Sequence, residues 1–303
     1  MILNLEQIQN LTVGAVNVDE KEDGIHFYKM KKCQIDAFYA LSDILGFRAE
    51  TTTGIRLDFE TDSKFLAFEI KGGSRFEYLI DGIYQGTVKD SRIELSAPCR
   101  ITLCFPSHEI GVIDNVELSD GAIATRHIFD RKILFIGDSI TQGWNSGIDT
   151  LSYAYRTSFA LNFDSVIQGV GGAYYHASTF ADSGFEPDVV IVAYGTNDVN
   201  HFKTQDEMIE QLRSYLGKVK ETYASSKIYA ISPIWVSGGN EEKRMGNLWE
   251  SYALIADEIE KCGVEHIRGL DLVPHERRYF ADDLHPNGDG FLEYAGNLVE
   301  IIR

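Results

Sequence analysis

Arg131-Lys132-Ile133-Leu134-Phe135-Ile136-Gly137-Asp138-Ser139-Ile140-Thr141-Gln142-Gly143-Trp144 is the stretch on which the fold turns. Its apolar run, Ile133 to Ile136, has the length and composition of a strand buried on both faces. At Gly137 the run breaks into small and polar residues, and a helical pattern resumes only near Ser152. Open α/β sheets carry their chemistry where a buried parallel strand ends in a short polar loop ahead of a helix. Ser139 stands at such a mouth, although a Gly-Asp-Ser turn by itself is only a turn.

Downstream, strand and helix patterns alternate. Ser152 to Phe163 reads as helix and Asp164 to Gly169 as a second strand, which ends in Gly169-Val170-Gly171-Gly172-Ala173. Adjacent glycines after a strand make a tight turn, or let backbone N–H groups face a cleft unobstructed by side chains. Asp188 to Tyr194 is the clearest buried strand and runs into Gly195-Thr196-Asn197-Asp198. An asparagine there serves as a turn former or N-cap, or its uncharged amide donates to an oxyanion. Gln205 to Tyr223 is predicted helical, Lys227 to Ser232 a fourth strand, Glu241 to Cys262 a long helix and Val264 to Ile267 a short fifth strand. Trp235 follows the fourth strand and either walls the cleft or packs beneath it. The last loop holds Asp282-Asp283-Leu284-His285-Pro286-Asn287, with Asn287 placed to cap a final helix.

Upstream, from Gly24 to about Leu118, the period is two. Ile55, Leu57 and Phe59 alternate with Arg56, Asp58 and Glu60, and Phe76, Tyr78 and Ile80 precede an Asp81-Gly82 hairpin signal. Short strands with no helical period predict an antiparallel sandwich, with the aromatics Phe27, Tyr28, Phe38, Tyr39, Tyr78 and Tyr84 read as strand-borne core rather than a sugar-binding face. The periodicity changes across Asp120 to Thr125, which puts the boundary near residue 127: an accessory domain over 1–127 and a second domain over 128–303.

In 303 residues, 44% hydrophobic and 24% charged composition gives material for a sizeable core. The net charge of −18 argues against nucleic acid and against anionic membranes as partners. The four cysteines form no Cys-x-x-Cys pair and have no histidine spacing suited to zinc, so no metal site is expected. Met1 to Glu6 lacks the basic start and apolar core of a signal peptide, and no run of about 18 apolar residues occurs. A cytoplasmic protein is the expectation, with a homo-oligomer left open.

The four loops together supply the parts of an acyl-transfer machine. Ser139 can attack once a base takes its proton, His285 suits that role near neutrality, and Asp282 can hold the imidazole in one tautomer. The Ser139 N–H, the Gly172 N–H and the Asn197 amide can serve a developing oxyanion.

These blocks make the second half resemble the SGNH (GDSL) hydrolase family. Gly137-Asp138-Ser139-Ile140-Thr141 matches its serine block, Gly169 to Gly172 its glycine block with Gly172 as the functional glycine, Gly195-Thr196-Asn197-Asp198 its third, and Asp282 to Pro286 its fourth. The resemblance covers about 130 to 303. It implies a flavodoxin-like three-layer α/β/α domain and a Ser-His-Asp hydrolase needing no cofactor. Ala173-Tyr174 stands where the family has Asp-Thr, and Thr141 breaks the Gly-x-Ser-x-Gly elbow of the unrelated α/β-hydrolases. The first half is similar to the jelly-roll-like β-sandwich that precedes this domain in carbohydrate acetylesterases and acyltransferase relatives.

Trp144, Tyr174 and Trp235 are expected on loops around Ser139, as a rim suited to stacking on a sugar. The expected substrate is therefore a short-chain, acetyl ester on a carbohydrate, either a small molecule or an oligosaccharide. The alternatives are a lysophospholipase or thioesterase, an acyltransferase, and a carbohydrate-binding protein built on an inactive hydrolase fold.

Overall fold

The computed structural model describes residues 1–240, 242–243 and 246–303, the side chains of residues 242 and 243 excepted. Its second half is organised by a five-stranded parallel sheet: β1 (Arg131–Gly137), β2 (Phe163–Gly169), β3 (Val189–Ala193), β4 (Lys227–Ile231) and β5 (Glu265–Ile267). The spatial order is β2-β1-β3-β4-β5, the flavodoxin-like arrangement. Side chains alternate across the sheet as the pleat requires. Leu134, Ile136, Val166, Val190 and Val192 enter one core, which the helices Gln205–Thr222 and Leu248–Lys261 cover. Ile133, Phe135, Ile167, Val189 and Ile191 enter the other, beneath Tyr153–Ala160 and Gly288–Ile302. Burial on both faces is why these strands read as continuous apolar runs.

The first half is an antiparallel β-sandwich. One sheet contains Arg56–Thr61 and Cys99–Cys104, the other Phe65–Gly72 and Val112–Leu118. Phe27, Leu57, Phe59, Leu66, Phe68, Ile101, Leu103 and Ile113 meet between them. The Asp81-Gly82 hairpin forms between Glu77–Ile80 and Ile83–Thr87, both turn residues taking positive φ (51° and 76°).

The expectation of strands without helices from Gly24 to about Leu118 is wrong. Helices span Leu5–Leu11, Lys32–Leu41 and Asp43–Glu50. In the latter two, Ile35, Phe38, Leu45 and Ala49 recur at helical spacing, and the Ser42 hydroxyl caps the second helix by accepting from the Ile44 N–H. Phe38 is therefore helical core rather than strand core, and Tyr39 and Tyr84 are exposed. This helical pair packs not into the sandwich but into the core of the parallel sheet, with Leu134, Val166 and Val192.

Two further corrections concern helix starts. A short helix, Ser139–Gln142, opens immediately after β1, because the Asp138 carboxylate accepts the Ile140 N–H at 2.9 Å. The long helix begins at Leu248, capped by Asn247, and is preceded by a hairpin pairing Glu242–Lys243 with Gly246–Asn247. Glu241, Arg244 and Met245, also expected in that helix, lie outside the described residues.

Candidate active site

β1 lies between β2 and β3, and the last residue of β1, Gly137, pairs with Gly169 on one side and Ala193 on the other. The three loops that follow therefore leave the sheet side by side, at the point where the strand order reverses and a crevice opens. Gly137 allows this closeness, since a Cβ there would lie 2.0 Å from Thr141 Oγ1.

Ser139 is buried at the first turn of its short helix, and its Oγ lies 2.9 Å from His285 Nε2. His285 Nδ1 lies 2.9 Å from Asp282 Oδ2. Burial would raise the Asp282 pKa, but hydrogen bonds from the backbone and ring of His285 and from the Leu284 N–H hold it below the ordinary carboxylate value. An ionised carboxylate only accepts, so Nδ1 carries the proton and Nε2 presents a lone pair to the Ser139 hydroxyl. The Pro286-Asn287 turn fixes this loop, because Asn287 caps the final helix by accepting from Asp289 and Gly290.

The glycine loop separates its two N–H groups. Gly171 donates to Gln142 Oε1 at 2.7 Å, whereas the N–H groups of Gly172 and Ser139 have no acceptor among the described residues. Gly172 takes φ +85°, where a side chain would strain the loop. Asn197 heads the helix Asp198–His201 without capping it. Its amide donates to the Ala173 carbonyl at 2.9 Å and lies 3.4 Å from Asp138 Oδ2. One N–H of Asn197 is thus spent on Ala173, and the other has a weak competitor in Asp138.

Two carboxyls are buried behind these loops. Desolvation pushes Asp138 up to about 7, against its bonds from Ile140 and its own N–H. Asp198 is likewise pushed up to about 7 by burial, partly offset by the Tyr175 N–H, with Asp138 adding repulsion.

The expected rim residues divide. Trp144 stacks toward His285, with ring centroids 6.2 Å apart, and its Nε1 donates to Gln142 Oε1. Tyr174 stacks on His201 at 3.9 Å, and Trp235 on His275 at 5.8 Å and beside Phe280. Trp144 alone of the three also lines the main cavity.

That cavity, about 800 Å³, was not legible in the sequence. Its walls are Ile44, Phe47 and Arg48 from the first-half helix, Arg75 and His108 from the sandwich loops, and the segment 142–147 after Ser139. Arg48 reaches across to donate to the Gly171 carbonyl at 2.8 Å and lies over the Trp144 ring at 4.8 Å. Among the described residues no group of three or more His, Cys, Asp or Glu is placed to hold a metal ion, and no helix is long and apolar enough to cross a membrane.

Residues 135–291 match the model of the GDSL-like lipase/acylhydrolase family, just over half of the chain. The chain belongs to that family. A GDSL-type enzyme of this kind is a carboxylic ester hydrolase. Among solved structures, this GDSL-family chain is similar in fold to the salicylyl-acyltransferase SsfX3 from a tetracycline biosynthetic pathway (16% identity, 95% of this chain and 92% of that one, TM-score 0.76). It is also similar to a putative GDSL-like lipase from Bacteroides ovatus (15%, 97% and 95%, TM-score 0.70) and to an acetyl xylan esterase from the rumen bacterium Butyrivibrio proteoclasticus (14%, 100% and 97%, TM-score 0.64). At these identities the likeness shows the fold, sandwich and α/β domain together. No curated protein matches the sequence.

Proposed function

We propose that this GDSL-family chain is a serine esterase that removes short acyl groups, acetyl foremost, from a carbohydrate. The observation that carries the reading is the run of two 2.9 Å contacts from Ser139 Oγ through His285 to Asp282, at the open end of β1. In the proposed cycle His285 Nε2 takes the Ser139 proton as Oγ attacks the ester carbonyl. The N–H groups of Ser139 and Gly172, with the Asn197 N–H that turns from its long 3.4 Å contact with Asp138, receive the negative charge that forms on the carbonyl oxygen. His285 then gives its proton to the departing alkoxide. Water, activated by the same imidazole, attacks the acyl-enzyme and releases the acid and the free hydroxyl of Ser139.

The preference for a sugar draws on the aromatic Trp144 beside His285 and on the fold shared with a Clostridium thermocellum family two carbohydrate esterase, itself solved with cellohexaose (18% identity, TM-score 0.64). The test is turnover of 4-nitrophenyl acetate. Ser139→Ala abolishes it while the far-ultraviolet spectrum is unchanged, and a fluorophosphonate labels the wild-type protein but not the variant. Across 4-nitrophenyl esters of increasing length, kcat/KM falls with chain length. Full activity in Ser139→Ala overturns the mechanism, and activity rising with length overturns the substrate in favour of a lysophospholipase or thioesterase.

A further inference from the structure

The 800 Å³ cavity holds charges that the steps above do not use. We propose that it is the subsite for an anionic group of the ester substrate, a carboxylate or phosphate, with Arg48 as its principal ligand and Arg75 as the second. The assignment rests on the esterase reading of Ser139 and narrows the substrate class.

The chain has 46 acidic side chains against 28 lysines and arginines, yet Arg48 meets no carboxylate among the described residues. One N–H of its fork is held by the Gly171 carbonyl and its face lies on Trp144, which leaves the other donors for the cavity it lines. Arg75 is held by the Gly147 carbonyl at 2.7 Å and lies 3.9 Å from Glu77. Glu77 is itself occupied by the N–H groups of Asp149 and Thr150 and the Thr150 hydroxyl.

Among the described residues neither acidic side chain on the walls forms an ion pair with Arg48, although Asp149 attracts Arg75. Asp149 is buried and accepts the Ser107 N–H at 2.7 Å, and Asp43 is exposed at the start of its helix. The field is felt by His108, which lines the same cavity. Burial, aided by Lys29, Arg75 and Arg48, pushes its pKa down to about 4, so at neutrality it offers hydrogen bonds without charge. Ile44 and Phe47, both exposed apolar side chains, give the anion's carrier a hydrophobic wall. On a surface of net charge −18, a guanidinium fork with an apolar wall selects a bidentate anion and gives little to a neutral ester.

The experiment compares 4-acetoxybenzoate with its methyl ester, which carry the same acetyl group and differ in charge. The wild-type protein is expected to prefer the anion at least tenfold in kcat/KM. Arg48→Gln brings the ratio below threefold, mainly through KM, Arg48→Lys keeps part of it, and Arg75→Gln, remote from Gly171, lowers it on its own. Competition by benzoate and by phenyl phosphate ranks the two anions. A wild-type ratio within twofold, or one that survives both Gln variants, overturns the proposal. Calorimetry on Ser139→Ala reads the same preference without turnover. Anion-selective binding with neither ester hydrolysed by the wild type sinks the esterase reading alone, and hydrolysis of both without selectivity sinks the subsite alone.

Discussion

The Asn145 amide donates to Asp282 Oδ2 at 2.7 Å, the same oxygen that lies 2.9 Å from His285 Nδ1. The loop after Ser139 therefore helps to aim the carboxylate that aims the histidine. Asn145 sits at φ +65°, a conformation that Asn tolerates and Gly adopts freely. Asn145→Gly thus removes the amide without backbone strain. Steady-state kinetics on 4-nitrophenyl acetate should show kcat lowered by roughly three- to tenfold, about the net worth of one hydrogen bond, with KM little changed.

Asp282→Asn keeps an oxygen for the Leu284 and His285 N–H groups but loses the charge that stabilises the imidazolium. By comparison with measured triads, kcat should fall roughly 10²- to 10⁴-fold. Circular dichroism and Tm confirm that the fold is kept. A loss below threefold would mean that the half-exposed carboxylate contributes nothing to the chemistry.

Asp138 and Asp198 both have folded pKa values, about 7, above the ordinary 3.8. The folded state holds their protons more tightly than the unfolded chain does. Their stabilising share is complete below about pH 4 and is lost as pH rises through 7. Tm should fall between pH 5.5 and 8.5, and Asp198→Asn, which cannot ionise, should flatten that fall by on the order of 1–3 kcal/mol. A Tm–pH slope identical in the variant would contradict the burial argument.

Asp58 is fully buried beneath two arginines, accepting from Arg56 Nε at 3.1 Å and from Arg100 Nε at 2.7 Å. Arg56 is fully buried too and also donates to Ser165 Oγ on β2. Asp58→Ala leaves that guanidinium uncompensated at the contact between sandwich and parallel sheet. The expected cost is about 3–5 kcal/mol in urea unfolding. Asp58→Asn, which retains acceptor capacity on one oxygen, should cost less.

How much of this was legible in the sequence follows from how locally each feature is encoded. β1 to β4 show themselves as apolar runs because helices cover both faces of the sheet. Ser139, Asp282 and His285 were found because each sits in a short block at a strand end or before a helix cap, and the structure brings the three into contact. Trp235 and Tyr174 carried no signal separating a cleft wall from packing, and in the structure they stack on His275 and His201. Arg48, Ile44, Phe47 and His108 could not be found by motif, since they lie some 30 to 95 residues before Ser139 and join the segment 142–147 that follows it only through the tertiary fold. The helical pair that carries three of them had a signal, Ile35, Phe38, Leu45 and Ala49 around a Ser42-Asp43 cap, which the surrounding period-two strands obscured.

That helical pair has a consequence for how such a protein is inherited. Its apolar side chains lie in the same core as Leu134, Val166 and Val192, and Gln34 reaches Gln168 on β2 while Gln168 in turn donates to the Lys29 carbonyl. A gene trimmed to start at residue 128 would encode a sheet with one flank stripped to solvent and a cleft missing a wall. Recombination that exchanges the front module for another therefore has to carry residues 29–50 along with the back one, or supply an equivalent plug.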